Sequence, residues 1–527
     1  MRIVTYNEIK ELFKIAEEEF HLTHRLQMEN FSVNATNFIE DEIIGDNDFT
    51  EVVVLAGKGN NGASGVSIAR CLSNRGHRSR VFLLYPDEGL KDELAYQVEM
   101  AKSYGVKIST AATLEELEAY FTQTQENYFV IDAICGAGVK LPISNYLFDL
   151  INIVNNNADL IASIDMPSGI HGDTGEIGSV AINADITIAK EMPKLGHYID
   201  QGPSYTGNLV VASCGLPSKL HFQGDKTLLT KEHVIDTLEK RSKFAHKNTF
   251  GHSVIVGGSK GLTGALILAS QAALKTGTGL VSAVTWEQNY PELVTRVIPE
   301  VMVGTIPTEE DDVDKVVRRL ERFQSIVIGP GLGRKKEARK VVLEVINYFR
   351  GPVVIDADAL NVIDLDEDVE SIARRTAPTV FTPHAGEFAR MMKVDVQEIL
   401  RSPIKYIRQF VDKTNSTIVL KGPCTFVGFT NGDIFLNYRP NDGMATGGSG
   451  DVLAGILGGV LAQNIPERKI DPMFREDAFY NDSISLSVLA HSLAGKHAAN
   501  ALGVRAMTAG SILEYLPNAF NEIRLHD

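Results

Sequence analysis

The chain has 527 residues, which predicts two large domains, and its 44% hydrophobic and 22% charged residues exclude a largely disordered or fibrous protein. Fifty-one basic residues against 67 acidic ones give a net charge of −16, which argues against sequence-independent binding to nucleic acid. Four widely spaced cysteines, the lack of a signal peptide and the lack of a long apolar run predict a cytoplasmic protein that does not enter a membrane.

The first half alternates short apolar segments with helical ones. One or two helices are expected over residues 7–39, and further helices over Ala63–Gly76 and Lys91–Tyr104. Strands are predicted at Glu51–Gly57, Arg80–Pro86, Tyr128–Gly136 and Leu160–Gly169. This alternation indicates a parallel sheet with helices on both faces, in which ligands bind beyond the carboxyl ends of the strands.

Three of these strand ends carry polar residues. The glycine-rich loop Gly57–Gly65 could present free N–H groups to an anion, or be only a tight turn. Asp132 precedes Gly136 and Gly138, and could be merely a helix cap. The segment Asp165–Gly169 combines a carboxylate with a hydroxyl. Their convergence on one sheet edge favours a ligand site, although none of the three is decisive alone.

The segment from Leu216 to Lys231 is polar, is expected to lack strands, and marks a domain boundary. A new α/β alternation follows it, with a helix over Gly264–Thr276. Strand segments are predicted at Gly251–Ser259, Leu280–Thr285, Ser325–Gly333, Val353–Leu360, Thr379–Glu387 and Ser416–Thr425. A β-hairpin that turns at Asn431-Gly432 comes next.

The segment from Asn441 to Gln463 is the most informative one. Its glycines, Gly447, Gly448 and Gly450, leave backbone N–H groups bare at the start of an apolar helix, which suits a phosphate. Asp451 follows them and could be an N-terminal cap. Because a carboxylate beside a phosphate hinders binding, we interpret Asp451 as a base.

Lys421 and His384 also follow predicted strands. Lys421 could bind phosphate or be an ordinary surface lysine. His384 lies in a tight loop beside Glu387 and could be structural or part of a site. No cluster has the spacing of a metal cage, but magnesium held through phosphates would leave no such pattern.

These motifs resemble known families. The second half is similar to ribokinase-fold proteins, and among them to the ADP-dependent NAD(P)H-hydrate dehydratases, through AHKNTFGHSVIVGGS, IVIGPGLG, VIDADALN, FTPHAGE, LKGPCT, GMATGGSGDVLAG and RAMTAGSILEYLP. The first half resembles the NAD(P)H-hydrate epimerase domain through MEN, GKGNNG, DAICGAG and SIDMPSG. The resemblance implies a Rossmann-like three-layer αβα domain over residues 1–217 and a ribokinase-like α/β domain over residues 226–527. This domain order is that of the bifunctional NAD(P)H-hydrate repair enzymes.

The resemblance implies metabolite repair. Reduced nicotinamide can take up water and become a hydrate with two epimers. The epimerase interconverts these epimers, and the dehydratase removes water from the S form at the expense of ADP. The implied ligands are NADH hydrate, NADPH hydrate, ADP, Mg²⁺ in the dehydratase domain and K⁺ in the epimerase domain, and the implied assembly is a homo-oligomer.

The resemblance also assigns site residues. In the dehydratase domain, the hydrate is expected at Ala265, Gly331, His384 and Asp451. The nucleotide is expected at Lys421, Gly422, Pro423, Cys424, Thr425 and Gly450, together with Gly447 and Gly448 from the glycine hole. In the epimerase domain, the hydrate is expected at Asn60, Asn61, Gly62, Ala63, Ser64, Gly136, Ala137, Gly138, Val139, Lys140, Leu141, Pro142 and Asp165. The potassium ion is expected at Asn61, Asp132 and Ser168.

Asp451 is expected to deprotonate the ring hydroxyl, as the equivalent aspartate does in ribokinase-like kinases. In the first half, Asp132 and Asp165 are the candidates for proton transfer. The family loop N-N-G-G-D-G has become Asn-Asn-Gly-Ala63-Ser64-Gly here, which removes a glycine and a carboxylate and could weaken epimerisation. The alternative is a ribokinase-like small-molecule kinase with a degenerate ligand-binding first domain.

Overall fold

The computed structural model of the protein describes residues 1–45, 49, 51–85, 90, 92–110, 113–122, 127–238, 241–306, 322–463 and 476–524. Two predicted element ends, Pro86 and Lys91, lie outside these residues. The chain divides into two compact units, Met1–Lys226 and Thr227–Asp527. None of the helices in the described ranges is both long and apolar enough to cross a membrane.

The first helix of the first unit begins with a capping box. The Thr5 hydroxyl accepts a hydrogen bond from the Glu8 N–H, and the Glu8 carboxylate accepts one from the Thr5 N–H. The helices are α1 (Tyr6–Phe20), α2 (His24–Ile39), α3 (Asn60–Asn74), α4 (Asp92–Ser103), α5 (Leu114–Thr122), α6 (Asn145–Asn157) and α7 (Gly202–Thr206), with a π-helical turn at Glu40–Ile44. The expectation of one or two helices over residues 7–39 is therefore confirmed as two.

The strands of the first unit form one parallel sheet of seven strands in the order β3-β2-β1-β4-β5-β6-β7. They are β1 (Glu51–Ala56), β2 (Ser79–Leu83), β3 (Lys107–Thr110), β4 (Tyr128–Ala133), β5 (Leu160–Ile164), β6 (Ile186–Lys190) and β7 (Asn208–Ala212). Alternate residues of β1 belong to two separate apolar clusters. Val52 and Val54 pack in one cluster, and Val53 and Leu55 pack in the other. Both faces of the sheet are thus covered, as predicted.

The first sheet has its topological switch point between β1 and β4, because the chain extends from β1 towards β3 on one side and then returns to β4 on the other. The loops that follow these two strands lie side by side at the carboxyl edge. A crevice at such a point is where open α/β sheets bind ligands.

The second unit contains a ten-stranded sheet in the order β11-β10-β9-β12-β13-β14-β15-β16-β17-β8. Its strands are β8 (Lys226–Leu228), β9 (His252–Val256), β10 (Leu280–Trp286), β11 (Val301–Ile306), β12 (Ser325–Ile328), β13 (Val353–Ile355), β14 (Thr379–Phe381), β15 (Thr417–Leu420), β16 (Cys424–Gly428) and β17 (Ile434–Tyr438). The strands from β11 to β15 are parallel, and β16 is antiparallel to β15 and to β17.

Two predictions about this sheet have opposite outcomes. The hairpin at Asn431-Gly432 is confirmed, because β16 and β17 pair on either side of it. The expectation that residues 216–231 lack strands is wrong, because they contain β8. This strand has three residues, too few for a recognisable apolar alternation.

The helices of the second unit are α8 (Thr263–Lys275), α9 (Tyr290–Arg296), α10 (Lys336–Tyr348), α11 (Asp358–Val362), α12 (Leu365–Ala373), α13 (Ala385–Met392), α14 (Val396–Arg401), α15 (Pro403–Thr414), α16 (Ser449–Ala462), α17 (Glu476–Leu502) and α18 (Ala509–Arg524). Helix α16 is almost entirely buried and crosses α8 closely. A Cβ atom on Gly455 would lie 2.1 Å from the Ala269 carbonyl oxygen, so the crossing requires glycine. This packing fixes the start of α16, where the predicted glycine hole lies.

Candidate active sites

The second unit has a cavity of about 910 Å³ beyond the carboxyl ends of β13, β14 and β15. The predicted site residues in its lining are His384, Lys421, Gly422, Pro423, Thr425, Gly448, Gly450 and Asp451. The lining does not include four other predicted residues, Ala265, Gly331, Cys424 and Gly447. The structure therefore brings together most of the residues predicted to bind the nucleotide and half of those predicted to bind the hydrate in this unit.

The glycine loop before α16 has the geometry of an anion site. Gly448 is the N-cap residue, and its φ is +94°, a backbone conformation that residues other than glycine rarely adopt. The cap makes no side-chain hydrogen bond, and among the described residues the N–H groups of Gly450 and Asp451 have no backbone acceptor. Asp451 is thus inside the first turn and is not the cap residue, so the capping interpretation does not hold.

Lys421 is held in the cavity by a carboxylate that the sequence analysis did not single out. Its Nζ donates to Oδ1 of Asp356 at 2.9 Å, and the same oxygen accepts from the Thr382 hydroxyl at 2.7 Å. Asp356 is buried. Its position directly after the buried strand β13 is the signal that could have identified it. Lys421 is therefore an ion-paired lysine of the cavity and not a surface lysine.

The Asp451 carboxylate has an unusual affinity for protons. Burial and the negative charge of Asp356 raise its pKa to about 7, against the opposing effect of Lys421. A carboxylate with a pKa near neutrality exists in both forms at working pH, and it gains more on taking a proton than an ordinary aspartate does. This is the property expected of a general base.

His384 has a structural role at the rim of the cavity. Its Nδ1 accepts hydrogen bonds from the N–H groups of Gly386 and Glu387, and the Glu387 carboxylate accepts one from the His384 N–H. These bonds cap α13. The His384 side chain is 61% exposed, so its Nε2 edge remains accessible to a ligand.

His491 of α17 is a second residue that the sequence analysis missed. Its Nε2 donates to the Ser449 carbonyl at 3.0 Å, and burial lowers the pKa of the imidazole to about 4. The ring is neutral at physiological pH, and it positions the first residue of α16. No local sequence pattern predicts this contact, because the two residues are 42 positions apart.

In the first unit, Asp132 lies at the switch point with both carboxylate oxygens occupied. It accepts four hydrogen bonds, from the hydroxyls of Ser163 and Ser168 and from the N–H groups of Ser168 and Ile134, at 2.6 to 3.2 Å. Burial raises its pKa, and these donors oppose the rise. The arrangement joins the ends of β4 and β5 into a rigid edge.

Asp165 has a strained backbone and a strong ion pair. Its φ is +69°, in the left-handed region that costs free energy outside glycine. Burial would raise its pKa, but the ammonium groups of Lys194 and Lys190 prevail and hold the pKa at about 2. Lys194 is buried and its Nζ lies 2.5 Å from Oδ1 of Asp165. Neither lysine was singled out in the sequence.

Asn61 occupies the centre of the predicted potassium site. Its Nδ2 donates to the carbonyls of Cys135 and Ile164 at 2.6 and 3.1 Å, and its Oδ1 accepts from Nζ of Lys190 at 3.1 Å. The three residues predicted to hold potassium, Asn61, Asp132 and Ser168, do lie together. Their oxygens are already bonded to donors, however, so this arrangement does not fit an additional cation.

The altered glycine loop keeps its backbone geometry. Ala63 is inside α3, does not have a left-handed conformation, and packs into an apolar cluster, so the change from glycine introduces no strain. The Ser64 hydroxyl donates to the Asn60 carbonyl at 2.9 Å. The loop remains tight because a Cβ atom on Gly62 would lie 1.9 Å from the Gly57 carbonyl oxygen.

The second predicted loop, residues 136–142, is only partly near this centre. A Cβ atom on Gly136 would lie 3.4 Å from Cγ of Asn61, which places that glycine beside it. Gly138 adjoins the Tyr6 ring, and Lys140 is exposed. The described residues contain no cluster of three or more His, Cys, Asp or Glu side chains that could hold a metal ion.

Comparison with known proteins covers both units. The family model described as NAD(P)H-hydrate dehydratase matches residues 253–518, and the model described as YjeF-related protein N-terminus matches residues 24–196. The chain is 33% identical to the bifunctional NAD(P)H-hydrate repair enzyme Nnr of Moorella thermoacetica, over 98% of this chain and 96% of that protein. It is 32% identical to the Escherichia coli enzyme of the same name, over 89% of this chain and 85% of that protein.

Among solved structures, the chain is similar to the ADP/ATP-dependent NAD(P)H-hydrate dehydratase of Bacillus subtilis, which was co-crystallised with ATP and Mg²⁺. The two are 29% identical with a TM-score of 0.48, over 56% of this chain and 98% of that chain.

Proposed function

The chain belongs to the family of bifunctional NAD(P)H-hydrate repair enzymes, and from that premise we propose how its two sites divide the repair of hydrated NADH and NADPH. The C-terminal unit is the dehydratase, with the cavity at α16 as its active site. The N-terminal unit is the epimerase, with the switch point between β1 and β4 as its active site.

In the dehydratase, Asp451 is the general base. The ring hydroxyl oxygen of the hydrate attacks the terminal phosphorus of ADP while Asp451 takes the hydroxyl proton, and the bond from that phosphorus to the bridging oxygen of AMP breaks. Phosphate then leaves the ring carbon with the bonding electron pair. Loss of a proton from the neighbouring carbon restores the double bond, so the products are NAD(P)H, AMP and phosphate.

The nucleotide lies against the glycine loop and Lys421. The free N–H groups at Gly450 and Asp451 hold its terminal phosphate, together with the positive end of the α16 dipole. Lys421 adds a cation whose position Asp356 fixes. Gly422, Pro423 and Thr425 follow the strand end and form the wall for the rest of the nucleotide.

Mg²⁺ fits this site as a companion of the nucleotide. The described residues offer no cage of their own, and Mg²⁺ is typically held by substrate phosphates with one or two carboxylates. Two carboxylates of the cavity lining, those of Asp442 and Asp451, accept no hydrogen bond from described residues, and since Asp451 acts as the base, Asp442 is the one that would hold the ion. When bound, the ion would neutralise charge on the transferring phosphoryl oxygens.

One observation carries the dehydratase proposal: a carboxylate with a pKa near neutrality stands beside an uncapped glycine-rich helix start. The test is Asp451→Asn in the full-length protein. Turnover, measured as recovery of the near-ultraviolet absorbance of reduced nicotinamide with ADP present, should fall about 10²-fold or more, because the base is lost. ADP affinity, measured by calorimetry, should change little.

The matched control is Asp412→Asn, an exposed aspartate on α15. This variant should turn over like the wild type. Unchanged turnover in Asp451→Asn would contradict the base role.

In the epimerase, we assign contact with the hydrate hydroxyl to Asp165 and a positioning role to Asp132. Asp165 is ionised at neutral pH and lies in a strained loop at the sheet edge. Asp132 has no free acceptor, because its four donors use both oxygens. Exchange between the epimers by Asp165→Asn and Asp132→Asn, with the hydrate ratio followed by chromatography, separates these roles: folded Asp165→Asn should lose exchange, whereas folded Asp132→Asn should retain part of it. Both variants should lose thermal stability, because Asp165→Asn leaves the buried Lys194 without its carboxylate and Asp132→Asn leaves a buried donor without an acceptor.

The kinase alternative is not favoured, because the relatives that match over nearly the whole chain are hydrate repair enzymes. It would share Asp451 and the glycine loop. Incubation with ADP and either NADH hydrate or a vitamin-precursor alcohol would distinguish the two, since we expect only the hydrate to be consumed.

We further propose that the enzyme is a cytoplasmic homo-oligomer. A reducing compartment is supported by the four free cysteines. Sedimentation of the purified full-length protein tests the assembly.

A further inference from the structure

Lys190 places a positive charge where the resemblance implies a potassium ion. This residue ends β6, and its Nζ lies 3.1 Å from Oδ1 of Asn61. The carbonyl oxygens of Cys135 and Ile164, which contact the other atom of the Asn61 amide, can only accept hydrogen bonds. Nδ2 must therefore face these carbonyls, and Oδ1 must face Lys190. The orientation of the amide is therefore fixed by three partners.

The ammonium group has few other partners. Among the described residues, Asn61 Oδ1 is its one hydrogen-bond acceptor, and the Phe31 ring lies with its centroid 5.2 Å away. A lysine placed this way occupies a cation position without satisfying all its donors. The remaining N–H groups are available to a bound hydrate.

The other predicted potassium ligands are bonded to each other. The Ser168 hydroxyl donates to Oδ1 of Asp132 at 2.6 Å, and the Ser168 N–H donates to Oδ2 at 2.9 Å. A dehydrated monovalent cation needs several oxygen atoms whose lone pairs point to it. These oxygens point to protons instead.

The local charges are also balanced without an ion. By formal charge, the carboxylates of Asp132 and Asp165 balance the ammonium groups of Lys190 and Lys194. Burial lowers the pKa of Lys190, and the negative charge of Asp165 opposes that decrease. Where the family loop has an aspartate, this chain has Ser64, whose hydroxyl is bonded within its own helix. An additional cation would meet two neighbouring positive charges in a buried setting, where repulsion is strong.

We propose that the Lys190 ammonium replaces the potassium ion at Asn61, so that the N-terminal site is complete without a monovalent metal. The inference rests on the proposed epimerase function of this unit. A covalently attached cation keeps its occupancy at any salt composition, whereas occupancy by a free ion depends on its concentration.

The test compares the full-length wild type with Lys190→Met, which removes the charge and keeps most of the chain length. Lys107→Met, at an exposed position of β3, is the matched control. Thermal unfolding is recorded in potassium chloride and in tetramethylammonium chloride at equal ionic strength, and thallium(I) NMR reports direct binding. The wild type and the control should unfold at the same temperature in both salts and bind no thallium. In Lys190→Met the Asn61 Oδ1 loses its donor, and rotation of the Ser168 hydroxyl can free lone pairs of Ser168 and Asp132, so this variant should gain several degrees in potassium and bind thallium.

Two results would overturn the proposal. One is a saturable, potassium-specific stabilisation of the wild type, which can be measured even if Lys190→Met does not fold. The other is a folded Lys190→Met that binds no thallium, because Asn61 would then not be a cation position. Epimer exchange is assayed separately in tetramethylammonium: its absence in every salt would count against the epimerase function and leave the ion measurements standing.

Discussion

Asp451 in the C-terminal unit and Asp132 in the N-terminal unit are both buried or partly buried carboxylates at the edge of a parallel sheet, and burial raises the pKa of both. Their hydrogen bonds differ. Asp132 accepts four, whereas described residues donate none to the Asp451 carboxylate. A carboxylate with every acceptor used stabilises the loops around it, and one that is desolvated without donors is available to a proton. Hydrogen bonding, more than the direction of the pKa, separates a structural carboxylate from a base.

Among the variants that test this comparison of Asp451 with Asp132, Lys421→Met is expected to change stability most. It leaves the buried Asp356 without its cation, which should destabilise the C-terminal unit by about 3 kcal/mol in denaturant unfolding, the lower end for a buried pair because Lys421 is partly exposed. It should also move the acid limb of the pH–turnover profile to higher pH, because Lys421 lowers the pKa of Asp451.

Asp356→Asn provides the opposite control. Asp356 raises the pKa of Asp451, so its neutralisation should move the acid limb to lower pH. Shifts in the same direction for both variants would contradict the assignment of that limb to Asp451.

The next largest change in stability is expected at Asp132, whose carboxylate oxygens accept four hydrogen bonds. Asp132→Asn introduces an NH₂ group among four donors, so at least one buried donor loses its acceptor. We expect a loss of about 2 to 3 kcal/mol in the unfolding free energy of the N-terminal unit. Asp149→Asn on the exposed face of α6 should change it little, and equal stability of the two variants would remove the distinction from Asp451.

A smaller change is expected at Asp451, where substitution should stabilise the protein instead of destabilising it. The pKa of Asp451 is raised from 3.8 to about 7 by folding, so between these values the folded protein retains a proton that the unfolded chain releases. The folded state therefore loses stability as pH rises from about 4 to 7, and the loss is complete above 7. Asp451→Asn, which cannot ionise, should be more stable than the wild type by about 1 to 2 kcal/mol at pH 8, a value reduced for partial exposure, and equal at pH 4. Thermal unfolding at both pH values is the measurement.

The smallest effect is expected from Ala63→Gly, which restores the family glycine. Because Ala63 has an ordinary helical conformation, the change should cost about 0.5 to 1 kcal/mol of stability and leave epimer exchange unaltered. Gly62→Ala should be far more damaging, since its Cβ atom would meet the Gly57 carbonyl. A rise in exchange in Ala63→Gly would show that the alanine limits the reaction.

Long apolar segments and glycine patterns were predictable from the sequence. The buried strands β1 and β4, the hairpin at Asn431-Gly432 and the glycine-rich start of α16 all carry local signals. The edge strand β3 has the sequence KIST, and β8 has three residues, so neither presents an apolar run. Strands of this kind depend on neighbours for their pairing.

The site residues divide in the same way. Asp451 follows a recognisable motif, and Lys421 follows a buried strand. Lys190 contacts Asn61 across 129 positions of sequence, and it ends a strand that the sequence analysis did not identify. A contact of this kind depends on the order of strands in the sheet, which hydrophobic periodicity does not specify.

The close approach of Gly62 to Gly57 has a consequence for how the N-terminal enzyme could diversify. Neither position accepts a side chain, whereas a side chain at Gly59 would point into open space. Random mutagenesis of this loop should therefore yield folded variants at Gly59 and almost none at the two constrained glycines. New substrate preferences would have to be acquired at the walls around the loop, and its shape would stay the same across the variants that survive.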